Sequence, residues 1–472
     1  MNIRFATFLA AIAAVAGCAT AAPKVHSSVH RKLQSAGTVN LIVTLAETTE
    51  STLESFQEAA YVSRTARIQA LKAKLEAAHI QAVAPVSNLL SQESASTDAL
   101  FADYKTFWIS NQVFIESATF DLVAKLMELP SVAEIREEAL LTASKEVAEA
   151  ADVQELVGQE WNIQRIGANK VWADGNIGQN VIVASIGSGV RYTHEALKSN
   201  FLGDFGWYEP KGNATKPYDV SGFGTHAMGI VAGSQGVGVA PGAKWSACKA
   251  CNQLNCPESE ILACSQFIMC PSNPQGTVTD CTKAPRVVHN AWYSAQNDFW
   301  FKPTVDAWEK VDIVSVFQAG DFGPSCGTVT SPGDYPNAIT VGSIGNTNTL
   351  STFGGKGPTV EKRVKPDLVA PGSRIRSATN TSDSEYMTKS GTSIAAAHVA
   401  GTVALLLSYQ PDFSVSEVKV ALYTTTDQTG ISQTAASNLT CGGLPDGVWP
   451  NNQFGHGLVN ALNLYEGFRP AP

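Results

Sequence analysis

The stretch Ser390-Gly391-Thr392-Ser393-Ile394-Ala395-Ala396-Ala397-His398-Val399-Ala400-Gly401 decides how the rest of the chain is read. Two glycines bracket a run of small residues, and Val403-Ala404-Leu405-Leu406-Leu407 follows, a pattern for a tight turn feeding into a buried helix. Ser393 then stands in the first helical turn. There, unpaired backbone N–H groups and the positive end of the helix dipole can stabilise charge developing beside a nucleophilic hydroxyl. Ser is also a favoured N-cap residue, so position alone fits a cap as well as a catalyst.

With 472 residues, 44% hydrophobic and 16% charged, the chain is globular and too long for one ordinary domain. Two domains plus a leader are expected. A net charge of −9 without a basic cluster argues against nucleic acid or an anionic membrane as partner. Arg4, the apolar run Phe5 to Ala16 and Ala19-Thr20-Ala21 have the pattern of a secretory signal peptide, and the run is too short for a membrane span. Val15-Ala16-Gly17-Cys18 fits a lipoprotein box as a competing reading.

Of nine cysteines, eight follow residue 240 and six lie between Cys248 and Cys281. In an exported chain such an even set reads as disulfides, with 105 possible pairings. Cys248-Lys-Ala-Cys251 lacks a second matching pair, which argues against zinc, and no metal or cofactor site is expected; structural calcium stays open. Asn213-Ala-Thr215, Asn380-Thr-Ser382 and Asn438-Leu-Thr440 would mark surface loops in a glycosylating organism.

Residues 38 to about 140 read as a separate α+β unit with an antiparallel sheet. Val39 to Leu45 is strand-like, Ser51 to His79 has helical apolar spacing, and a polar linker follows. Strands near Thr106–Ile109 and Val113–Ile115, a helix from Thr119 to Leu129 stopped by Pro130, and a strand at Val132–Arg136 complete it. Asn180-Val181-Ile182-Val183-Ala184 later reads as a fully buried parallel strand, and strands alternate with helices from there on, as in a doubly wound α/β fold.

The segment Gly391 to Gly401 resembles the nucleophile block of subtilisin-like serine peptidases, departing at Ala397, where that family usually has Pro. Trp161 to Trp172 resembles the entry to the family's catalytic domain and Phe454-Gly455-His456-Gly457-Leu458-Val459-Asn460-Ala461 its closing segment. The resemblance thus covers roughly residues 160 to 465. The unit before it, with Leu129-Pro130-Ser131-Val132-Ala133-Glu134-Ile135, resembles the inhibitory pro-domain of secreted zymogens. The implied organisation is a signal peptide (1–21), a pro-domain (22–150) and a peptidase domain with a mostly parallel, doubly wound sheet (151–472), forming a secreted monomer.

Carried over residue by residue, Gly222-Phe223-Gly224-Thr225-His226-Ala227-Met228-Gly229 resembles the histidine block and makes His226 the general base for Ser393. The acid should end the first strand, yet Ile186-Gly187-Ser188-Gly189 has Gly187 where the carboxylate belongs. In subtilisin itself, loss of that acid alone costs about 3 × 10⁴ in kcat. In Ala319-Gly320-Asp321-Phe322-Gly323, Asp321 replaces the family's oxyanion-hole Asn, a donor worth about 10² to 10³ in the same enzyme. Asn290-Ala291-Trp292-Tyr293-Ser294 resembles the substrate-binding strand, and Tyr293, in place of Gly, should narrow its pocket.

Two functions follow from the resemblance. One is a pseudopeptidase that binds peptides, protein partners or its own pro-domain. The other is a slow, acid-favouring serine endopeptidase using Ser393 and His226.

Overall fold

The computed structural model describes residues 24–58, 61–95, 99–144, 147–149, 160–432, 440–445 and 447–469. The expected leader, with Cys18, and the sequon residue Asn438 lie outside these residues.

The N-terminal unit carries strands β1 (Lys24–Val25), β2 (Val39–Leu45), β3 (Asp103–Phe107), β4 (Gln112–Ala118) and β5 (Val132–Glu137), and helices α1 (Ser27–Ala36), α2 (Glu50–Glu54), α3 (Arg64–Ser94) and α4 (Phe120–Met127). The sheet order is β1-β5-β2-β4-β3, antiparallel except for the short edge strand β1, which runs parallel to β5. Strand β2 carries apolar residues at Leu41, Ile42 and Val43 in succession because both its faces are covered. Leu41 and Val43 pack with α1, α4 and the C-terminal half of α3, whereas Ile42 meets Leu262 of the next domain.

The helix expected from Ser51 to His79 is two helices in the structure. Helix α2 ends at Glu54, and α3 begins at Arg64, where the Ser63 hydroxyl accepts from the Ala66 N–H. It then continues to Ser94 through the stretch read as a polar linker, because Ala82, Val83, Val86 and Leu90 extend its apolar stripe. Pro85 sits inside this helix without ending it.

Two short strands follow, β6 (Leu140–Ala143) and β7 (Val147–Glu149). The second domain is built on a seven-stranded, wholly parallel sheet. Its strands are β8 (Ile182–Gly187), β9 (Trp207–Tyr208), β10 (Lys244–Lys249), β12 (Val287–Asn290), β14 (Val314–Gln318), β15 (Ile339–Ile344) and β16 (Leu368–Pro371), ordered β16-β15-β14-β12-β8-β10-β9. Outside it lie β11 (Asn255–Pro257), β13 (Trp292–Tyr293), β17 (Ile375–Ala378) and β18 (Tyr386–Ser390).

Helices α5 (Trp161–Arg165), α6 (Ala168–Ala173), α7 (Phe223–Ala232), α10 (Thr392–Tyr409), α11 (Val415–Thr424) and α12 (Ala461–Phe468) contribute to the core on one side of the sheet; α8 (Glu258–Met269) and α9 (Lys302–Glu309) do so on the other. The central helix α10 has no charged residue and is apolar enough to cross a membrane by composition, but 89% of it is buried inside the protein. The cysteines pair as Cys248–Cys264, Cys251–Cys256, Cys270–Cys281 and Cys326–Cys441.

Candidate active site

Ser393 lies in the first turn of α10, directly after Gly391 and Thr392, and is fully buried. Its backbone carbonyl accepts from His289 Nε2 at 2.9 Å, while His289 Nδ1 lies 3.5 Å from Ser185 Oγ. Burial pushes His289 down to about 4, so its imidazole is neutral and ties β12 to α10 through the main chain. Sequence reading missed this residue because a lone His inside an apolar strand carries no signal of its partner.

Asp321 does not sit beside the helix as a free charge. Its Oδ1 accepts from both the Thr392 N–H and the Thr392 hydroxyl, each at 2.8 Å, so it caps α10. Burial raises its carboxyl to about 6, against the opposing pull of these two bonds. Tyr293 packs edge-to-face on Phe322 at 5.5 Å, forming an aromatic wall next to Asp321. Ala291 offers a backbone carbonyl to the cleft, and Trp292 contributes only backbone, its indole being buried against Phe301 and Phe317.

Gly187 ends β8, and its carbonyl accepts from the N–H groups of Ala250 and Cys251. A Cβ here would meet only the Ala291 Cβ, at 3.3 Å. The nearby carboxylates are committed elsewhere. Asp219 accepts from the Ser188 hydroxyl, from the backbone of Ser221, Gly222 and Thr225, and from the Thr225 hydroxyl, which caps α7. Glu195 accepts from the Tyr386 hydroxyl at 2.9 Å.

The assignment of His226 as base is corrected by its orientation. It lies one turn inside α7, fully buried, and Nε2 points to the carbonyls of Ile375 at 3.1 Å and Met387 at 3.0 Å. Nδ1 has no hydrogen-bond partner, so neither ring nitrogen is bonded to Ser393. Burial first, and the charge of Lys389 second, hold this imidazole well below its usual range. It is a neutral group linking α7 to β17 and β18.

The residue of α7 that lies against the strand leading to Ser393 is Phe223, at the first helical position. The Lys389 ammonium stands 4.3 Å above its ring and donates to the Gly222 carbonyl at 3.0 Å. The signal was available in sequence. A base serving Ser393 must stand on an accessible first turn, whereas His226 is followed directly by an apolar run.

The cleft is filled by the chain itself. Strand β6 lies antiparallel between β11 and β13, with Leu141 opposite Cys256 and Thr142 opposite Tyr293. The Ser144 N–H donates to the Ala291 carbonyl at 3.1 Å, and the Ser144 hydroxyl to Gln318 at 3.0 Å. Beyond residues 145 and 146, β7 pairs antiparallel with β18, Val147 opposite Ser390 and Ala148 opposite Lys389. On either side of residues 145 and 146, β6 thus engages the wall that holds Tyr293, and β7 the strand that leads into α10.

Comparison with known proteins accords with this architecture. The profile of the subtilase family matches residues 178–457. The chain belongs to the subtilase family. It is 31% identical over 389 residues to Bacillopeptidase F of Bacillus subtilis, 76% of this chain but 26% of that protein. It is 32% identical to Serine protease AprX of the same species, over 61% of this chain and 67% of the relative, and 29% identical to Subtilisin E, over 67% and 76%.

In this subtilase Ser393 thus stands at the start of the central helix, on the fold of the subtilase family. Among its described residues no group of three or more His, Cys, Asp or Glu is placed to hold a metal ion. Asn380, read as a glycosylation site, donates from Nδ2 to the Asp219 carbonyl and packs against Gly222, so its amide is already used in tying a loop to α7.

Proposed function

We propose that this subtilase is a pseudopeptidase: a secreted, monomeric chain whose peptidase fold binds its own N-terminal unit, and peptide or protein ligands, without efficient hydrolysis. The observation that carries the reading is the setting of His226, turned to two backbone carbonyls while Gly187 supplies no carboxylate. Peptide hydrolysis by a Ser-His-Asp triad needs an imidazole to take the serine proton and a carboxylate to support the imidazolium. Here both are missing from register; a triad-deficient peptidase with an intact oxyanion hole retains about 10³ to 10⁴ over water, and with Asp321 at the oxyanion position less is expected.

Export through residues 1–21, a pro-domain at 22–150 and a peptidase domain at 151–472 fit this reading, as do four disulfides. Its test is labelling of the purified protein with a serine-reactive fluorophosphonate beside turnover of a peptide library. Labelling and turnover no greater than in Ser393→Ala are expected. Fast labelling and turnover, both lost in Ser393→Ala, would sink the proposal.

One observation favours a second reading, a slow acid-favouring endopeptidase. A carboxyl at about 6 makes Asp321 a hydrogen-bond donor in mildly acid solution, where it could stabilise an oxyanion.

A further inference from the structure

Along β6 the side chains alternate as a half-buried strand requires. Leu141 and Ala143 are buried, whereas Leu140 is exposed and Thr142, opposite Tyr293, is half-buried. Ser144 comes next and by this alternation should face outward with Thr142. It is instead 1% exposed. The group that meets its side chain is Gln318, the last residue of β14, which is also 1% exposed.

Two bonds hold Ser144, and they differ in what they recognise. Its N–H donates to the Ala291 carbonyl at 3.1 Å, a bond open to almost any residue at this place, while its hydroxyl donates to Gln318 Oε1 at 3.0 Å, which depends on the side chain. Gln318 has no other polar contact. Its Nε2 is buried without a hydrogen-bond partner, so the bond to Ser144 is the only one this carboxamide makes among the described residues. A buried carboxamide with one of its two groups unpaired adds little to the stability of β14, and its use lies in what it meets in the cleft.

The chemistry it selects follows from its two ends. A carboxamide presents an acceptor or, turned over, a donor, and a hydroxyl answers either. Alanine or glycine answers neither and leaves the whole carboxamide desolvated and unpaired, which costs more than the hydroxyl's own bond is worth. A longer polar side chain would have to displace Gln318 from a place where donor and acceptor already stand 3.0 Å apart.

We propose that Gln318 is a specificity-determining residue of the cleft, selecting polypeptide segments that present serine where Ser144 now lies, with a small residue before it and an aliphatic one three places before it. The inference rests on the reading of the cleft as a peptide-binding site and adds the class of ligand. Leu141-Thr142-Ala143-Ser144 is the chain's own example. A partner protein displaying Leu-x-Ala-Ser in an exposed, extended stretch is the other occupant this chemistry fits.

Two measurements on the full chain test it. The first is a double-mutant cycle of Ser144→Ala and Gln318→Met, read as amide hydrogen exchange over residues 139–144. Each single change is expected to raise the opening of this segment by about 10- to 100-fold, because each leaves a buried polar group unpaired. The double variant should recover most of the loss, since an apolar group then meets an apolar group. Additive effects would mean that Gln318 only supports β14, and would overturn the proposal.

The second uses the full chain with Leu141→Asp and Ala143→Asp, which frees the cleft of its own strand. Labelled Leu-Leu-Thr-Ala-Ser and Leu-Leu-Thr-Ala-Ala amides are titrated onto it, and the serine peptide is expected to bind at least about 10-fold tighter, a difference that vanishes when Gln318→Met is added. Should the Gln318→Met chain fail to fold, the comparison of the two peptides on the Gln318 chain decides alone. Binding of neither peptide, with residues 139–144 exchanging freely, would sink the reading of the cleft as a peptide site. Equal binding of both would keep that reading and overturn the role of Gln318.

Discussion

The backbone N–H of Ser144 donates to the carbonyl of Ala291 at 3.1 Å and continues the β6 ladder, so this segment lies in the cleft as a bound peptide would. Leu141, three residues earlier in the same segment, is buried, and β7 pairs with β18. In a working peptidase of this family, the segment that follows Ser144 would be expected to hold the bond cut.

The protein recovered from a secreting host is therefore expected to be intact across residues 144–150. Intact-mass and N-terminal analysis of wild type and Ser393→Ala should give the same uncut chain. A new N-terminus at residue 145 in wild type, absent from Ser393→Ala and formed in a host without other peptidases, would show that the cleft still works.

His226 should behave as a structural residue. Replacing it with Ala removes the donor to two buried carbonyls and leaves a cavity between α7 and β17. A loss of about 2 to 4 kcal/mol is expected. Urea unfolding measures the loss, and fluorophosphonate labelling of still-folded variant should stay at the wild-type level. A His226→Ala protein of unchanged stability would contradict the role drawn from its hydrogen bonds.

How much of this could be seen in the sequence differs from element to element. Strand β8, helix α10 and the position of Gly187 were legible because a continuous apolar run and two glycines leave few alternatives. The role of His226 was legible only in part: the apolar run behind it speaks against an accessible base, but spacing places a residue on a helix without saying which face turns to the cleft, and three residues are nearly a full turn. Helix α3 was misread for a related reason. Its N-terminal half shows an apolar face whose partner, the surface around Val311 and Trp308, lies some 240 residues away in the chain, and that contact holds Arg64 just after the Ser63 cap.

Asp321 predicts a pH dependence of stability. Its folded pKa of about 6 lies above the ordinary value of 3.8, so the folded state holds its proton more tightly than the unfolded state. The associated stabilisation is fully present below about pH 4 and is lost as pH rises through about 6, by up to about 3 kcal/mol. Asp321→Asn keeps an acceptor for Thr392 and removes the titration. The variant should gain on wild type at pH 8 and not at pH 4, as read by denaturant midpoints. Equal gains at both values would show that burial does not perturb this carboxyl.

The same group sets the direction of any residual hydrolysis. If protonated Asp321 donates to the oxyanion, Ser393-dependent turnover should rise as pH falls through about 6, and in Asp321→Asn this rise should vanish. A wild-type profile that climbs toward alkaline pH would exclude the donor role.

Restoring catalysis should need three changes. Gly187→Asp is sterically modest, since its Cβ meets only the Ala291 Cβ at 3.3 Å and the residue has no left-handed backbone to strain. Asp321→Asn returns a neutral amide beside α10. These two together are expected to leave the segment after Ser144 uncut, because His226 remains turned to Ile375 and Met387. Phe223→His supplies the missing imidazole at the first turn of α7, next to Gly224, whose N–H already binds Ser188 beside position 187. The Lys389 ammonium now above the Phe223 ring would lower the pKa of that imidazole, which favours its neutral, proton-accepting form but weakens the imidazolium later. Groups that act as a unit are non-additive, so each single and double variant should stay near wild type while the triple variant cuts itself. Quantifying the released N-terminal unit, with Ser393→Ala added to each combination, tests this. Cleavage by the Gly187→Asp, Asp321→Asn double alone would mean that another group already serves as base, and a well-folded triple variant that stays uncut would point to the wall formed by Tyr293 and Phe322.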